Sequence, residues 1–141
     1  MGKKTTELQP IRKLDYLFLY EMLKERKPEE NISHKEIPSM KQHISFISSK
    51  PYSKWYIILY KKEKAGTIYL SKQDEIGIHI KNDYKNLEID KDVVRIIIKK
   101  NPRKKYFANI SIKNRKLMKF FESQKFCKLQ VTYEIDMENI K

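Results

Sequence analysis

"IHIKNDYKNLEIDKDVVRIIIKK", residues 78–100, changes character twice. It begins with the alternation of a strand, passes through a polar turn, and ends in an apolar element that fits either a strand or a helix. Val93, Val94, Ile96, Ile97 and Ile98 have strand propensity, yet Val93/Ile97 and Val94/Ile98 also sit at helical i,i+4 spacing. Propensity alone leans toward strand. If the element is a helix, the turn becomes a strand-to-helix junction, where free backbone N–H groups can hold a phosphate and glycines allow close approach. This turn has no glycine and carries Glu88 and Asp90 instead.

Upstream, "EIGIHIK" at 75–81 reads as a strand with Ile76, Ile78 and Ile80 on one side and Glu75, Gly77 and His79 on the other. "WYIILY" at 55–60 reads as a buried strand, and after the charged turn "KKEKAG" the run "TIYLS" reads as its hairpin partner. Two helices are expected before this meander. In the first, "RKLDYLFLYEMLKERK", Leu14, Leu17 and Phe18 share a face that Leu19, Met22 and Leu23 widen, and Lys24 to Lys27 with Pro28 end it. The second opens at Pro38-Ser39, with Met40, His43, Ile44 and Ile47 at helical spacing. Residues 1–9 form a loose lead-in able to add an edge strand, with Pro10 at its boundary.

Downstream, "KYFANISI" is expected to be a strand and "NRKLMKFFESQ" a helix with Leu117, Phe120 and Phe121 on one face. "FCKLQVTYEID" is expected to be a long last strand, with Leu129, Val131, Tyr133 and Ile135 inward. Cys127 then reads as a small strand residue.

The 141 residues, 40% hydrophobic, suit one domain spanning 1–141 with its own core. No apolar stretch is long enough for a membrane span or a signal peptide, so cytoplasmic residence is the default expectation. One cysteine excludes an internal disulfide, and the scattered His34, His43 and His79 give no metal-ligand spacing. The formal charge of +13 predicts attraction to anions, though the lysines are spread along the chain. The densest basic stretch, Lys99, Lys100, Arg103, Lys104 and Lys105 with Tyr106 and Phe107 behind it, leaves nucleic acid open as an alternative partner.

Two stretches resemble the GNAT acyltransferase superfamily: "WYIILYKKEKAGTIYLSKQDEIGIHI", similar to its central meander, and "ANISIKNRKLMKFFESQKF", similar to the segment where a strand delivers an Asn to the head of a helix. With the leading helices the likeness runs from about residue 10 to residue 136. It implies an α+β (mixed α/β) fold: a mainly antiparallel twisted sheet of six or seven strands with helices on both faces. It also implies that 90–100 is a helix, against propensity.

The resemblance further implies an acyl transfer from acetyl-CoA to the amine of a small molecule, with a nucleotide-linked amino sugar as one acceptor. The protein would be a monomer or a homodimer. The cofactor would lie along Ile78 and Ile80 and over the turn of Lys85, Leu87, Glu88, Ile89 and Asp90, with Asn114 and Phe121 beyond. Family members place glycines where Glu88 and Asp90 stand, so two carboxylates would face a pyrophosphate. Each such repulsion costs on the order of 1 to 4 kcal/mol. Lys85 matches the motif's Gln/Arg, whereas Leu117, Phe121 and Lys125 depart from the Ser, Tyr and Gly of many members. Glu75 and His79 are candidate bases and Tyr133 a candidate acid. The plainer uses are a surface ion pair for Glu75, a half-buried strand position for His79 and core packing for Tyr133. A second alternative is a GNAT-type interaction module that has lost CoA binding.

Overall fold

In the computed structural model of the chain, residues 5–25 and 37–139 are described. The expected stop of the first helix at Arg26, Lys27 and Pro28, and His34, lie outside them.

The meander forms as the alternation predicts. Strands β1 (Thr6–Pro10), β2 (Tyr52–Tyr60), β3 (Glu63–Ser71) and β4 (Ile76–Ile80) make a sheet in the order β1-β2-β3-β4, every pair antiparallel. The lead-in supplies the edge strand, with Leu8 opposite Ile58. Between β2 and β3 the chain turns on Lys61 and Lys62, both left-handed (φ 49° and 70°), the handedness that matches strand twist in a two-residue hairpin. At Gly66 an added Cβ would strike the backbone of His79, so this close β3–β4 approach requires glycine.

The sheet is covered on both faces. On one, α1 (Tyr16–Glu25, entered through a short 3-10 turn at Lys13–Asp15) and α2 (Met40–Ser48) bury Leu19 and Ile47 against Ile57. On the other, α3 (Ile89–Lys100) and α4 (Arg115–Ser123) pack over Tyr56, Ile58, Ile68, Leu70 and Ile76. Helix α2 starts with a reciprocal cap: Gln42 N–H donates to Ser39 Oγ (3.2 Å) and Ser39 N–H donates to Gln42 Oε1 (2.9 Å).

Segment 89–100 is a helix. Ile89, Val93, Val94 and Ile97 are all about fully buried against the sheet, while Lys91, Asp92, Arg95, Lys99 and Lys100 face outward. That one-sided burial has helical period and outweighs the β-branched propensity. Asn101 closes its end, donating from Nδ2 to Ile97 O (3.1 Å) and to the Tyr56 hydroxyl (3.2 Å).

Three expectations are corrected. First, α1 buries a different stripe, because Leu14 and Leu17 are 64% and 58% exposed whereas Asp15, Leu19 and Met22 are buried. The cause is Asp15, fully inside, paired with Lys64 Nζ (2.6 Å) and accepting from Arg12 N–H (2.9 Å); seating it inward turns Leu14 and Leu17 out. Second, the sheet has four strands among the described residues rather than six or seven. Residues 106–112 touch β4 through one parallel bridge, Glu75 to Phe107, and then leave it. Third, 126–136 belongs to no ladder, and Cys127, Leu129, Val131, Tyr133 and Ile135 are exposed rather than inward. With 106–112 splayed from β4, the expected last strand has no paired neighbour to extend. No helix is long and apolar enough to cross a membrane among the described residues.

Candidate functional site

The splay between β4 and 106–112 is the central feature. Two bonds pin its closed end: Ile76 N–H donates to Phe107 O (2.7 Å) and Phe107 N–H donates to Asp74 O (2.9 Å). Beyond them the strands part. Because Ile76 turns its N–H toward 106–112 and backbone groups alternate along a strand, Ile78 and Ile80 turn theirs into the same gap, away from β3. Ile78 and Ile80 therefore line the gap with their backbone.

Glu75 stands at the closed end. Its Oε1 accepts from Ser71 Oγ (3.0 Å) and its Oε2 from Asn109 Nδ2 (2.6 Å), so this carboxylate joins β3, β4 and the diverging segment. No surface lysine is its partner in these bonds. Ser71 Oγ also accepts from the Glu75 and Gln73 backbone N–H groups (3.0 and 3.2 Å), which fixes the turn leading into β4. The splayed segment is anchored at its start by the Tyr106 hydroxyl, which donates to Asn101 O (2.7 Å) and accepts from Arg103 N–H (2.8 Å).

His79 shares the sheet face of Glu75, but it lies four residues on, roughly 13 Å along the strand, and is buried opposite Thr67. Between them is Gly77, where a Cβ would run into the Tyr69 ring. Glycine makes room for an aromatic group. Tyr69 stacks on Tyr52 (ring centroids 3.7 Å apart, 3° between planes), Trp55 meets Tyr52 edge-on at 4.8 Å, and Phe46 of α2 approaches both Tyr52 and Trp55. Trp55 Nε1 donates to Thr67 Oγ1 (2.8 Å), which donates to Tyr56 O (2.8 Å). The available signal was the register: Tyr69 pairs with Gly77, and Ser71 lies beside Glu75. Tyr56 faces the α3 side of the sheet, with its hydroxyl accepting from Asn101 Nδ2.

At the other end, the turn into α3 is built as the sequence suggested and with a carboxylate at each critical place. Glu88 precedes the helix with φ 57° and ψ 28°, a left-handed conformation that glycine adopts freely and other residues at a cost. Asp90 folds back, its Oδ1 accepting from Lys91 N–H (3.0 Å). Asp90 and Asp92 thus place two negative charges on the first turn of α3. The carboxylates of Glu88 and Asp90 at this turn oppose the charge of a pyrophosphate. Lys85 and the exposed Leu87 lie in the approach to it, whereas the side chain of Ile89 is in the core.

Other sequence candidates fall in two groups. Asn114 caps α4, its Oδ1 accepting from Leu117 N–H (3.2 Å), and Phe121 is buried against Phe120 and Phe126. Tyr133, in the segment 126–136, is 91% exposed rather than inward. His43 is buried on α2, 5.3 Å from the Tyr20 ring, and desolvation by burial pushes its pKa below the ordinary 6.5 against the opposing pull of a hydrogen bond to the Tyr16 backbone. A depression of about 520 Å³ between β1 and α3, lined by Thr6, Asp92, Arg95 and Lys100, lies at the opposite sheet edge from this gap.

Neither a protein-family model nor a curated protein sequence matches the chain. Solved structures do. A domain from Methanocaldococcus jannaschii superposes with a TM-score of 0.79 at 24% identity, covering 94% of each chain. The dodecameric spermidine N-acetyltransferase from Vibrio cholerae gives 0.72 at 12% identity, over 91% of this chain and 82% of its own. RimL, a ribosomal L7/L12 alpha-N-protein acetyltransferase solved with coenzyme A, gives 0.69 at 13% identity, over 86% and 79%.

Proposed function

We propose that this chain, which has the fold of the GNAT acetyltransferases, is an acyl-CoA-dependent N-acetyltransferase acting on an amine. The observation that carries the reading is the gap between β4 and 106–112, with the Ile78 and Ile80 backbone turned into it and Glu75 at its closed end. The chemistry supplied by the bound donor is an activated thioester. The chain's own part is to line that donor up along β4 with backbone N–H groups, which can also hold a carbonyl oxygen as negative charge builds on it. Glu75 is a carboxylate able to take a proton from an incoming amine, directly or through water, and Ser71 and Asn109 hold it in place. The aromatic group of Tyr52, Trp55 and Tyr69 beside it supports an acceptor with a flat or cationic part. Within that class we favour a nucleotide-linked amino sugar as acceptor, a preference that rests on the net charge of +13 and an anionic substrate.

A second reading, a GNAT-type module that no longer binds CoA, is favoured by one observation: the carboxylates of Glu88 and Asp90 at the turn. Calorimetric titration with acetyl-CoA and with free CoA at moderate salt decides between the two. The acyltransferase reading expects micromolar binding, followed by thiol release in an acceptor screen. Absence of binding up to millimolar ligand refutes it. Glu88→Gly with Asp90→Gly should tighten binding by at least about tenfold, since removing one close like-charge contact is worth about that much.

A further inference from the structure

Among the described residues, Thr6, Thr67 and Ser71 are the buried serines and threonines, and two of the three are satisfied. Thr67 Oγ1 donates to Tyr56 O (2.8 Å) and accepts from Trp55 Nε1 (2.8 Å), and Ser71 Oγ donates to Glu75 Oε1 (3.0 Å). Thr6 Oγ1 has no hydrogen-bond partner among the described residues. A buried hydroxyl left unpaired weakens a fold, so this one calls for a reason beyond packing.

Thr6 lies in the edge strand β1, on the same sheet face as Leu8, which packs in the core beneath α3. It lines the depression of about 520 Å³ between β1 and α3, a volume within the range of small-molecule sites. The backbone beside it is open too. Lys61 N–H donates to Thr5 O (2.7 Å) and Ile11 N–H donates to Trp55 O (3.1 Å), so the odd-numbered residues of β1 turn their backbone toward β2. Thr6 and Leu8 therefore turn their N–H groups to the outer edge, where no strand pairs with them among the described residues. On the opposite wall, Arg95 and Lys100 of α3 lie roughly 7.5 Å apart along the helix axis. Neither has an ion-pair partner among the described residues. Two carboxylates also line the depression: Glu7, tied to Lys62 (2.8 Å), and Asp92, one turn before Arg95.

We propose that this depression is a binding site for a phosphate monoester of a small polyhydroxy molecule. The phosphoryl group lies between Arg95 and Lys100 on one wall and the Thr6 hydroxyl with the strand-edge N–H groups on the other. Its three terminal oxygens suit donors that approach from both walls, whereas the two oxygens of a carboxylate lie in one plane and suit one fork. Asp92 limits the charge. With Glu7 held by Lys62, the α3 wall has two cations against one carboxylate, a surplus of one positive charge that fits a single phosphoryl group rather than a polyphosphate. Asp92 also accepts hydrogen bonds from hydroxyl groups on the rest of the molecule. The site is at the opposite sheet edge from the gap beside β4 and uses none of its residues, so it stands whether or not the chain transfers acyl groups.

The test is titration of the full chain with inorganic phosphate, glucose 6-phosphate and gluconate, read by NMR shifts of backbone amides and arginine side chains. Glucose 6-phosphate has no amine, so it cannot report on an acyl acceptor site. The expected result is saturable millimolar binding, tighter for the ester than for phosphate and weakest for gluconate, with shifts centred on Thr6, Leu8 and Arg95. Arg95→Gln and Lys100→Gln should each weaken binding by at least about tenfold, the worth of one charge-assisted hydrogen bond. Lys104→Gln, which removes the same charge outside the depression, should leave it unchanged. Thr6→Val separates a ligand-binding threonine from a packing one. It should raise the Tm of the free chain, because an unpaired buried hydroxyl is gone, and yet weaken binding by about tenfold. Absence of saturable shifts up to about 50 mM ester (well above the expected millimolar range), an equal loss in Lys104→Gln, unchanged binding in Thr6→Val, or gluconate bound as tightly as the ester would each overturn the proposal.

Discussion

Helix α3 and the tail at 126–136 carry the same kind of sequence, a row of β-branched and aliphatic side chains, and the fold treats them oppositely. The row in α3 is sunk against the sheet, with Val93 and Ile97 about fully buried, whereas Leu129 and Val131 in the tail stand in solvent. Local propensity favours a strand in both. What separates them is the neighbour: a helix satisfies its own backbone and needs only a surface to lie on, while a strand is unfinished until another backbone meets its edge. The alternation in the tail names the faces of a strand, and it does not supply the edge.

The largest expected effect breaks or confirms that contrast directly. Ile97→Ala, in α3, should cost about 2 to 5 kcal/mol in denaturant melts, the usual range for emptying a close-packed aliphatic site. Ile135→Ala, measured where the chain is monomeric, should stay within about 0.5 kcal/mol of wild type, as exposed substitutions do. Equal losses at the two sites would mean that the tail packs on its own core, and the contrast would collapse.

A smaller effect sharpens what burial means on the other face of the sheet. The buried side of α3 is aliphatic and indifferent to pH, but that of α2 includes His43, whose pKa burial lowers from 6.5. The folded chain therefore holds His43 neutral more firmly than the unfolded chain does. The stability this contributes is complete above about pH 6.5 and is lost as pH falls from there through the lowered folded value. Melting temperatures between pH 7.5 and 5 should fall, and His43→Gln should flatten the part of that slope due to this residue. An unchanged slope in the variant would place the pH dependence elsewhere.

The elements legible in the sequence are those whose pattern and backbone demand agree. Strands β2 to β4 alternate and find one another through short turns, and Ser39 marks the start of α2 by the cap it forms. Helix α3 needed the family likeness, because Val93/Ile97 spacing and Ile96-Ile97-Ile98 propensity argue against each other within one segment. The site was half legible. Glu75, Ile78 and Ile80 follow from strand parity, but the Ser71 and Asn109 bonds to Glu75 join residues 4 and 34 apart, and the Tyr52–Tyr69 stack depends on register across a hairpin. Asp15 misled the reading of α1 because a carboxylate inside an apolar stripe looks like a surface position until its lysine, Lys64, is known.

The smallest expected effect concerns the two carboxylates before and within the first turn of α3, which the sequence treats as one departure from a glycine motif. The structure separates them. Glu88 is left-handed and its side chain caps nothing, so Glu88→Gly relieves backbone strain and should stabilise the fold by about 0.5 to 1 kcal/mol. Asp90 is helical, negatively charged beside free N–H groups, and bonded to Lys91 N–H, so Asp90→Gly should cost about 1 kcal/mol through lost helix propensity and lost charge at the helix start. Thermal melts of the two single variants give the signs. If they are opposite, the backbone at residue 88 still has the shape a glycine turn requires, and the carboxylates of Glu88 and Asp90, not the backbone, oppose a phosphate there. If both variants lose stability, the left-handed turn is held by contacts of the Glu88 side chain, and the likeness to a phosphate-binding turn is one of position without conformation.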